Sequence, residues 1–332
     1  MFYTHMAKTL KYLLLLLFTG SLITIVNCNS KHSKKEIPQI NPEKLIVERF
    51  EQEFHQLNSD KLKILKQKYP YLLPENQTDI FWMNKSKDTL QQEILKEVNT
   101  IFKADFSKEK KALEQLFGAI KHYFPETPLP KIITLTNDVD YKNNILLTPE
   151  YLLLSLDCFL GTGHHFYQDI PKFICKDFSP EKIPYHVALK FAQQKIKYPD
   201  ARTFLSQMIL YGKRLFLVEQ LLASYPQETI TNYSSQELKW AEENETFIWR
   251  YFVEKEFLFS TDKTLFKRFI YPAPFSKFYL QIDSESPDRL GVYIGYQIVK
   301  NFNTKYPEIS LEEILNMDST LLFNKSNYKP NK

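Results

Sequence analysis

Residues 131 to 160 read KIITLTNDVDYKNNILLTPEYLLLSLDCFL, and this stretch decides the fold class. Its apolar runs at 131–136, 144–148 and 151–160 are separated by polar turn residues, a pattern typical of strands. After Pro184 the apolar residues recur at helical spacing instead. Strands followed by helices, without an internal repeat, predict a single α+β domain whose second half is mostly helical.

The flanking sequence predicts helices on both sides of this stretch. C-terminal to it, helical periods predict helices over residues 185–196, 202–224, 235–257, 288–302 and 311–316, the third opened by a capping sequence at Ser234. N-terminal to it, residues 45–57 begin with the alternation of a short strand, and helices are predicted over 62–68 and twice within 88–117. Ser107 is the predicted N-cap of the last of these. The domain is expected to span 43–323, with a C-terminal tail over 324–332.

The first 42 residues are expected to be a targeting signal and a tether. A basic start with Lys8 and Lys11, an apolar run up to Val26 and a cysteine at position 28 resemble a bacterial lipoprotein signal. We therefore expect a signal peptide over 1–27, acylation of Cys28 and a flexible tether over 28–42. An uncleaved membrane anchor and a soluble secreted form are the alternatives. Because no acidic run follows the cysteine, we expect a lipid-anchored protein of the cell envelope that faces the periplasm.

Composition and charge exclude several classes of function. The chain has 332 residues and only 7 glycines, and none of them form the glycine-rich loops that cradle the phosphates of nucleotides. Beyond residue 36 there are 38 basic and 38 acidic side chains, so the folded part lacks the basic excess of a nucleic-acid-binding protein. We expect no nucleotide, no nucleic acid and no cofactor.

The densest polar cluster is the segment DCFLGTGHHFYQD at 157–169. Its paired histidines, His164 and His165, are candidates for a base or a ligand-binding group, and Asp169 follows them closely. An enzyme that uses these three residues is the alternative to a loop whose histidines bond the backbone. Neighbouring histidines point in different directions unless the loop bends them together. Cys158 and Cys175 either pair as a disulfide or remain two buried thiols, since their spacing allows both.

Catalytic motifs are absent elsewhere in the sequence. There is no HExxH of a zinc peptidase and no G-x-S-x-G of a serine hydrolase. The acidic group at Glu242, Glu243 and Glu245 is predicted to cover the outer, solvated face of a helix. Trp249 and Arg250 on the same helix suit either core packing or the binding of a partner.

Five stretches resemble one family. They are LDCFLGTGHHFYQDIPKFI (156–174), TFLSQMILYGKRLFLVEQLL (203–222), WAEENETFIWRYFVEKEFLFSTD (240–262), RFIYPAPFSKFYL (268–280) and SPDRLGVYIGYQIVKNF (286–302). Together with the leader they resemble the gliding motility lipoprotein GldB of gliding Bacteroidota. The resemblance implies a membrane-anchored, non-catalytic lipoprotein that supports gliding by binding other envelope proteins of the motility machinery.

A more distant resemblance connects the helix order with putative zinc peptidases. On this chain His186 would match the first zinc ligand, Val187 the catalytic glutamate, Lys190 the second ligand and Tyr211 the third. Only His186 is retained, so the resemblance implies a zincin-like, pseudo-metallopeptidase architecture without a metal. It also implies a former cleft. Our candidate residues for a partner or ligand pocket are His164, His165, Asp169, His186, Tyr211, Trp249, Arg250 and Arg289. Gly291 and Gly295, one helical turn apart, predict a face on which another helix packs closely.

Overall fold

The computed structural model describes residues 40–103, 105–196 and 201–330 of the chain. The expected signal peptide, Cys28 and the tether up to residue 39 lie outside these ranges. The strands lie in the first half of the described chain and the second half is helical, which confirms the predicted α+β class. Within the described ranges, no helix is both long and apolar enough to cross a membrane.

The described residues form a mixed sheet of four strands, β1 (Val47–Arg49), β2 (Lys131–Leu135), β3 (Ile145–Leu147) and β4 (Tyr151–Ser155), in the order β1-β2-β4-β3. β1 and β4 both run parallel to the central strand β2, and β3 pairs with β4 in the antiparallel direction. Successive side chains of a strand point to opposite faces. Accordingly, Ile132 joins the main hydrophobic core, whereas Ile133 joins a smaller cluster formed by the first helices.

The N-terminal helices are α1 (Phe50–Phe54), α2 (Ser59–Lys68), α3 (Asp79–Lys87), α4 (Thr89–Ile101) and α5 (Ser107–Tyr123). Local capping explains where two of them begin, since the side chains of Asn58 and Asp88 accept backbone N–H groups of the first turns of α2 and α4. The prediction that Ser107 caps α5 was wrong. The N-cap is Phe106, in the left-handed conformation with φ 51°, and Ser107 is the first helical residue.

The second half contains α6 (Lys172–Cys175), α7 (Ile183–Lys195), α8 (Phe204–Leu221), α9 (Gln227–Thr231), α10 (Ser235–Glu243), α11 (Glu245–Glu254), α12 (Thr264–Phe269), α13 (Leu290–Lys305), α14 (Leu311–Asn316) and α15 (Ser319–Ser326). Ser234 and Glu237 form the capping box that the sequence predicts. The single helix predicted over 235–257 was wrong, because the chain breaks at Asn244, whose side-chain amide donates to the carbonyl oxygen of Trp240.

The centre of the helical half is a close contact between α8 and α13. A Cβ atom at Gly212 would lie 2.2 Å from the carbonyl carbon of Gly295, and one at Gly295 would lie 1.8 Å from the carbonyl oxygen of Met208. These separations are far below van der Waals contact, so both positions require glycine. The prediction that the glycine-bearing face of α13 receives another helix is therefore confirmed at Gly295.

Both ends of the described chain pack against the domain. The backbone N–H of Glu43 donates to the carbonyl oxygen of Glu114 on α5, and Ile40 contacts the main core. At the other end, α15 continues to Ser326 and the side chain of Tyr328 is buried. The predicted tail at 324–332 therefore begins inside a helix, and the packed chain extends beyond residue 323.

Candidate functional site

A pocket of about 260 Å³, lined by apolar and charged side chains, opens between the segment that precedes and begins α7 and the turn that precedes α13. Apolar side chains form part of its wall, namely Phe173, Ile174, Phe178, Leu189 and Pro272. Its hydrogen-bonding and charged groups include Lys176, Asp177, His186, Asn232, Asp288 and Arg289, and Tyr141, Asn144 and Tyr185 also line it. Two residues predicted for a ligand site, His186 and Arg289, are thus brought together across about a hundred positions of sequence.

Asp288 is the centre of one half of the pocket. Its Oδ2 lies 3.0 Å from Nε of Arg289, and its Oδ1 lies 3.2 Å from Nζ of Lys176. The side chain of Asp288 is 2% exposed, whereas those of Arg289 and Lys176 are 16% and 25% exposed. The carboxylate is therefore buried behind the two cations that it holds.

Asp177 is the centre of the other half. Its Oδ2 accepts a hydrogen bond from Nδ2 of Asn232 at 2.9 Å and lies 3.2 Å from Nε2 of His186. This Nε2 atom is buried, and its contact with the carboxylate has the distance of an ion pair without the alignment of a hydrogen bond. The side chains of Asp177 and His186 are 11% and 17% exposed, so the acid again lies deeper than its basic partner.

The two halves are coupled electrostatically. Burial alone would raise the pKa of Asp177, but His186, Arg289 and Asn232 outweigh that effect and hold the pKa below its usual value. Burial would likewise lower the pKa of Arg289, and Asp288, Tyr185 and Tyr233 reverse it, so the pKa is raised and the guanidinium stays charged. Asp177 and Arg289 are therefore both ionised at neutral pH.

The backbone before α13 is held in an unusual conformation at this pocket. Arg289 has φ 54°, in the left-handed region that residues other than glycine rarely adopt. The hydroxyl of Tyr233 donates to the carbonyl oxygen of Asp288 at 2.5 Å, and the N–H of Leu290 donates to Oγ of Ser276 at 3.2 Å. Strain of this kind persists only where the surroundings enforce it. The position of Arg289 is thus fixed by its neighbours.

The paired histidines lie in a second cluster. The loop bends His164 and His165 together, with ring centroids 4.4 Å apart. Nε2 of His164 lies 3.3 Å from Glu97, Nε2 of His165 lies 3.7 Å from Glu93, and both glutamates are on α4. His164 also accepts the backbone N–H of Phe166. Among the described residues, no group of three or more His, Cys, Asp or Glu side chains is arranged to hold a metal ion.

Asp157, next to this loop, is fully buried at the end of β4. Its carboxylate accepts the backbone N–H groups of Asn137 and Val139, at 3.0 Å and 2.8 Å from Oδ2. The turn that it bonds contains two left-handed residues, Asp138 with φ 61° and Val139 with φ 59°. Burial raises the pKa of Asp157 to about 6 against these opposing hydrogen bonds. The aspartate therefore holds a strained turn in place.

The cysteines of the described chain do not form a disulfide. Cys158 and Cys175 are both free and buried, so of the two alternatives the structure has the pair of thiols. Burial raises the pKa of Cys158 above its usual range, which keeps this thiol protonated and unreactive at neutral pH.

The other predicted site residues lie apart from the pocket. Trp249 is partly buried and packs against Phe323 and Tyr328, so its ring contributes to the contact with the C-terminal segment. Arg250 is exposed and pairs with Glu254 at 3.8 Å. Asp169 is exposed in the turn that follows the paired histidines.

Tyr211 and Glu245 also differ from their sequence-based assignments. The guanidinium carbon of Arg214 lies 5.1 Å from the ring centroid of Tyr211, which makes this ring a cation–π partner on α8. The placement of Glu245 on the solvated outer face was wrong. Its carboxylate accepts the hydroxyls of Tyr328 and Tyr293 at 2.6 Å and 3.2 Å.

Sequence reasoning missed Lys176, Asp177 and Asp288, which contribute most of the charge in the pocket. Asp288 directly precedes Arg289 in the stretch SPDRLG, and an acidic–basic pair at the start of a helix was the available signal. Asp177 and Lys176 had none, because their partners lie far away in sequence.

Comparison with known proteins identifies the family. A family model described as gliding motility protein GldB matches residues 30–330, which is nearly the whole chain. No curated protein and no solved structure matches the sequence. The match includes all five stretches on which the resemblance rests. The chain therefore belongs to the family of gliding motility protein GldB, and with it to the lipoproteins of the cell envelope that serve gliding motility.

Proposed function

We propose that this protein supports gliding as a non-catalytic binding protein that contacts other envelope components of the motility machinery. In this proposal the lipid on Cys28 anchors it in the membrane and the domain faces the periplasm. The proposal builds on the zincin-like resemblance. In this view the cleft of a peptidase has lost its catalytic residues and still binds a partner.

The observation that carries the proposal is the burial of Val187. This residue matches the catalytic glutamate of the peptidase pattern, and its side chain is 0% exposed in the main core. A general base has to reach a water molecule at the reacting centre, within hydrogen-bonding distance. An apolar side chain enclosed in the core does not meet that requirement. Lys190, which matches the second zinc ligand, would repel a dication.

The charges in the pocket support binding over catalysis for a second reason. Asp177 pairs with His186 and Asp288 with Arg289, and both carboxylates are less exposed than their basic partners. A catalytic acid or base needs a pKa near the working pH and a proton that it can exchange with substrate. The cluster instead fixes cations and N–H donors in space, which suits recognition of a bound group.

The experiment that tests this function is crosslinking followed by pull-down of the full-length lipoprotein from the envelope of gliding cells. We expect a reproducible set of envelope proteins, together with gliding that survives the double change His164→Ala and His165→Ala. Cys28→Ser should release the protein from the membrane fraction and stop gliding.

The enzyme alternative predicts the opposite result for the histidines. If the double alanine variant folds, keeps its envelope partners and yet abolishes gliding, and if the wild-type protein purifies with stoichiometric metal, the binding proposal is wrong. Lys172→Met, an exposed change outside the pocket and the histidine loop, serves as the matched control for expression and gliding.

A further inference from the structure

We propose that the pocket between α7 and the turn before α13 binds a carboxylate joined to an apolar side chain, as found at the C-terminal residue of a polypeptide. This inference deepens the proposed function and rests on it, because it names the chemistry by which a partner would be recognised. The groups that carry it are Lys176 and Arg289, with Asp177 and Asp288 behind them and His186 at the border of the pocket.

The layering of charge points to an anion. Both carboxylates are less exposed than the basic groups that they hold, so the opening presents cations and N–H donors. Glu237 is the further acid on this side, 3.9 Å from Lys176 and 32% exposed. Lys182 is a further cation next to the pocket, and its Nζ donates to Oδ1 of Asn232 at 3.1 Å. Cations held rigidly by buried acids form a preorganised site for a negatively charged group.

His186 borders the pocket beside Asp177. Its Nε2 is buried and lies 3.2 Å from the Asp177 carboxylate, without the alignment of a hydrogen bond. Because this atom is enclosed, the cations that a bound carboxylate would meet are Lys176 and Arg289.

The size of the pocket and its apolar wall select the kind of carboxylate. Drug-sized ligands occupy pockets of about 300–1,000 Å³. A volume of about 260 Å³ takes one end group of a larger molecule. Phe173, Ile174, Phe178, Leu189 and Pro272 offer that group an apolar surface, so an inorganic anion would leave much of the wall uncovered. A terminal apolar residue with its free carboxylate satisfies both halves of the pocket.

The test compares four probes by isothermal titration against the full-length lipoprotein in detergent. N-acetyl-phenylalanine carries the carboxylate and an apolar ring, and N-acetyl-phenylalaninamide has the same shape without the charge. Inorganic phosphate is an anion without an apolar part, and octanoate represents a fatty-acid source of the same carboxylate. We expect the acid to bind about tenfold more tightly than the amide, because charge-assisted hydrogen bonds are the stronger class.

Two variants locate the binding. Lys176→Met removes a cation from the opening and should weaken binding of N-acetyl-phenylalanine about fivefold to tenfold. His186→Gln keeps a polar group in place and should weaken it less. Lys172→Met removes the same charge from the start of α6, outside the pocket, and should leave the affinity unchanged. If a pocket variant fails to fold, the comparison of acid with amide on the wild-type protein still decides the question.

Several results would overturn the proposal. If the acid and the amide bind with equal affinity, or if the acid does not bind at millimolar concentration, the pocket does not recognise a carboxylate. If phosphate binds as tightly as the acid, the apolar wall does not contribute to recognition. If octanoate binds more tightly than the acid, the ligand is a fatty acid and not the end of a polypeptide. The pull-down experiment is independent of these probes. A recovered set of partners without binding of the acid would therefore refute this inference and leave the proposed function standing.

Discussion

Two buried aspartates have pKa values that are shifted in opposite directions by their surroundings. Asp157 lies just after β4, and Asp177 lies in the pocket between α7 and the turn before α13. Asp157 meets only backbone N–H groups, and burial raises its pKa to about 6. Asp177 faces His186, Arg289 and Asn232, and its pKa is lowered although it is also buried. Burial raises the pKa of both carboxylates, and only at Asp177 do neighbouring side chains outweigh that effect.

The difference also separates structural from binding roles. The carboxylate of Asp157 fastens the strained turn at Asp138 and Val139, and its partners are fixed parts of the backbone. The carboxylate of Asp177 positions side chains that border an open pocket. Asp177 therefore orients side chains that line a pocket, whereas Asp157 stabilises the conformation of a turn.

The largest expected effect comes from Asp288→Ala in the pocket. The change leaves Arg289 and Lys176 without their shared carboxylate, and breaking a buried ion pair in this way costs about 3–5 kcal/mol of unfolding free energy. Urea denaturation at neutral pH measures it. Glu243→Ala is the control, because its pair with Lys239 is exposed and should contribute below about 1 kcal/mol. Equal effects of the two changes would mean that the pocket charges are not coupled.

The next effect is the pH dependence that Asp157 contributes. Its pKa is about 6 in the folded protein against an ordinary 3.8, so the folded state binds the proton more tightly. Stability contributed by this group is full below pH 3.8 and falls as the pH rises to about 6. One unit of pKa corresponds to about 1.4 kcal/mol, which makes the total loss about 3 kcal/mol. In Asp157→Asn, thermal unfolding between pH 4 and 7 should lack this decline. An unchanged profile would contradict the assignment.

Asp177 should show the opposite sign. Its folded pKa lies below the ordinary 3.8, so its contribution is present above that pH and is lost as the pH falls through the lowered value. Asp177→Asn should therefore remove stability at neutral pH, by about 1–3 kcal/mol for a charge-assisted contact, and show a smaller loss below pH 3.8 than the wild type. The measurement is the same melting series extended to acid. A variant with the wild-type acid profile would show that Asp177 does not carry this dependence.

The smallest expected effect is at the histidine loop. Glu93→Gln removes the carboxylate that lies 3.7 Å from His165, but both side chains are about half exposed. Exposed pairs of this kind contribute at most about 1 kcal/mol, so urea denaturation should detect little change. If the loss of unfolding free energy is as large as that of Asp288→Ala, the paired histidines stabilise the fold as much as the charges of the pocket do.

Local patterns were sufficient to predict much of the fold. The strands predicted within 131–160 and the capping box at Ser234 depend on neighbours within a few residues. The structure confirms both, although the last strand ends at Ser155 and not at Leu160. The continuous helix over 235–257 was wrong because the apolar period runs through Asn244, and only the side-chain bond to Trp240 reveals the break. A period describes which face is apolar, and it does not show whether the backbone remains helical.

The candidate site was less predictable for a related reason. Lys176 and Asp288 are 112 positions apart, and no spacing rule brings them together. The sequence does not show what the ring of Trp249 contacts, because its partners Phe323 and Tyr328 lie in a distant segment. The dense polar run around His164 is recognisable in the sequence because its residues are adjacent. The pocket at Asp177 depends instead on burial and on charges that meet only in the folded chain.

The entry of the chain into the sheet has a mechanical consequence. From Ile40 the backbone runs past α5, where the N–H of Glu43 bonds Glu114, and then becomes β1, parallel to β2. Tension applied from the N-terminal side would act along β1. The paired residues from Val47 to Arg49 would then resist as a group, in shear, and would not open one after another. A domain of a motility protein that is pulled from this end would transmit load directly into its central sheet.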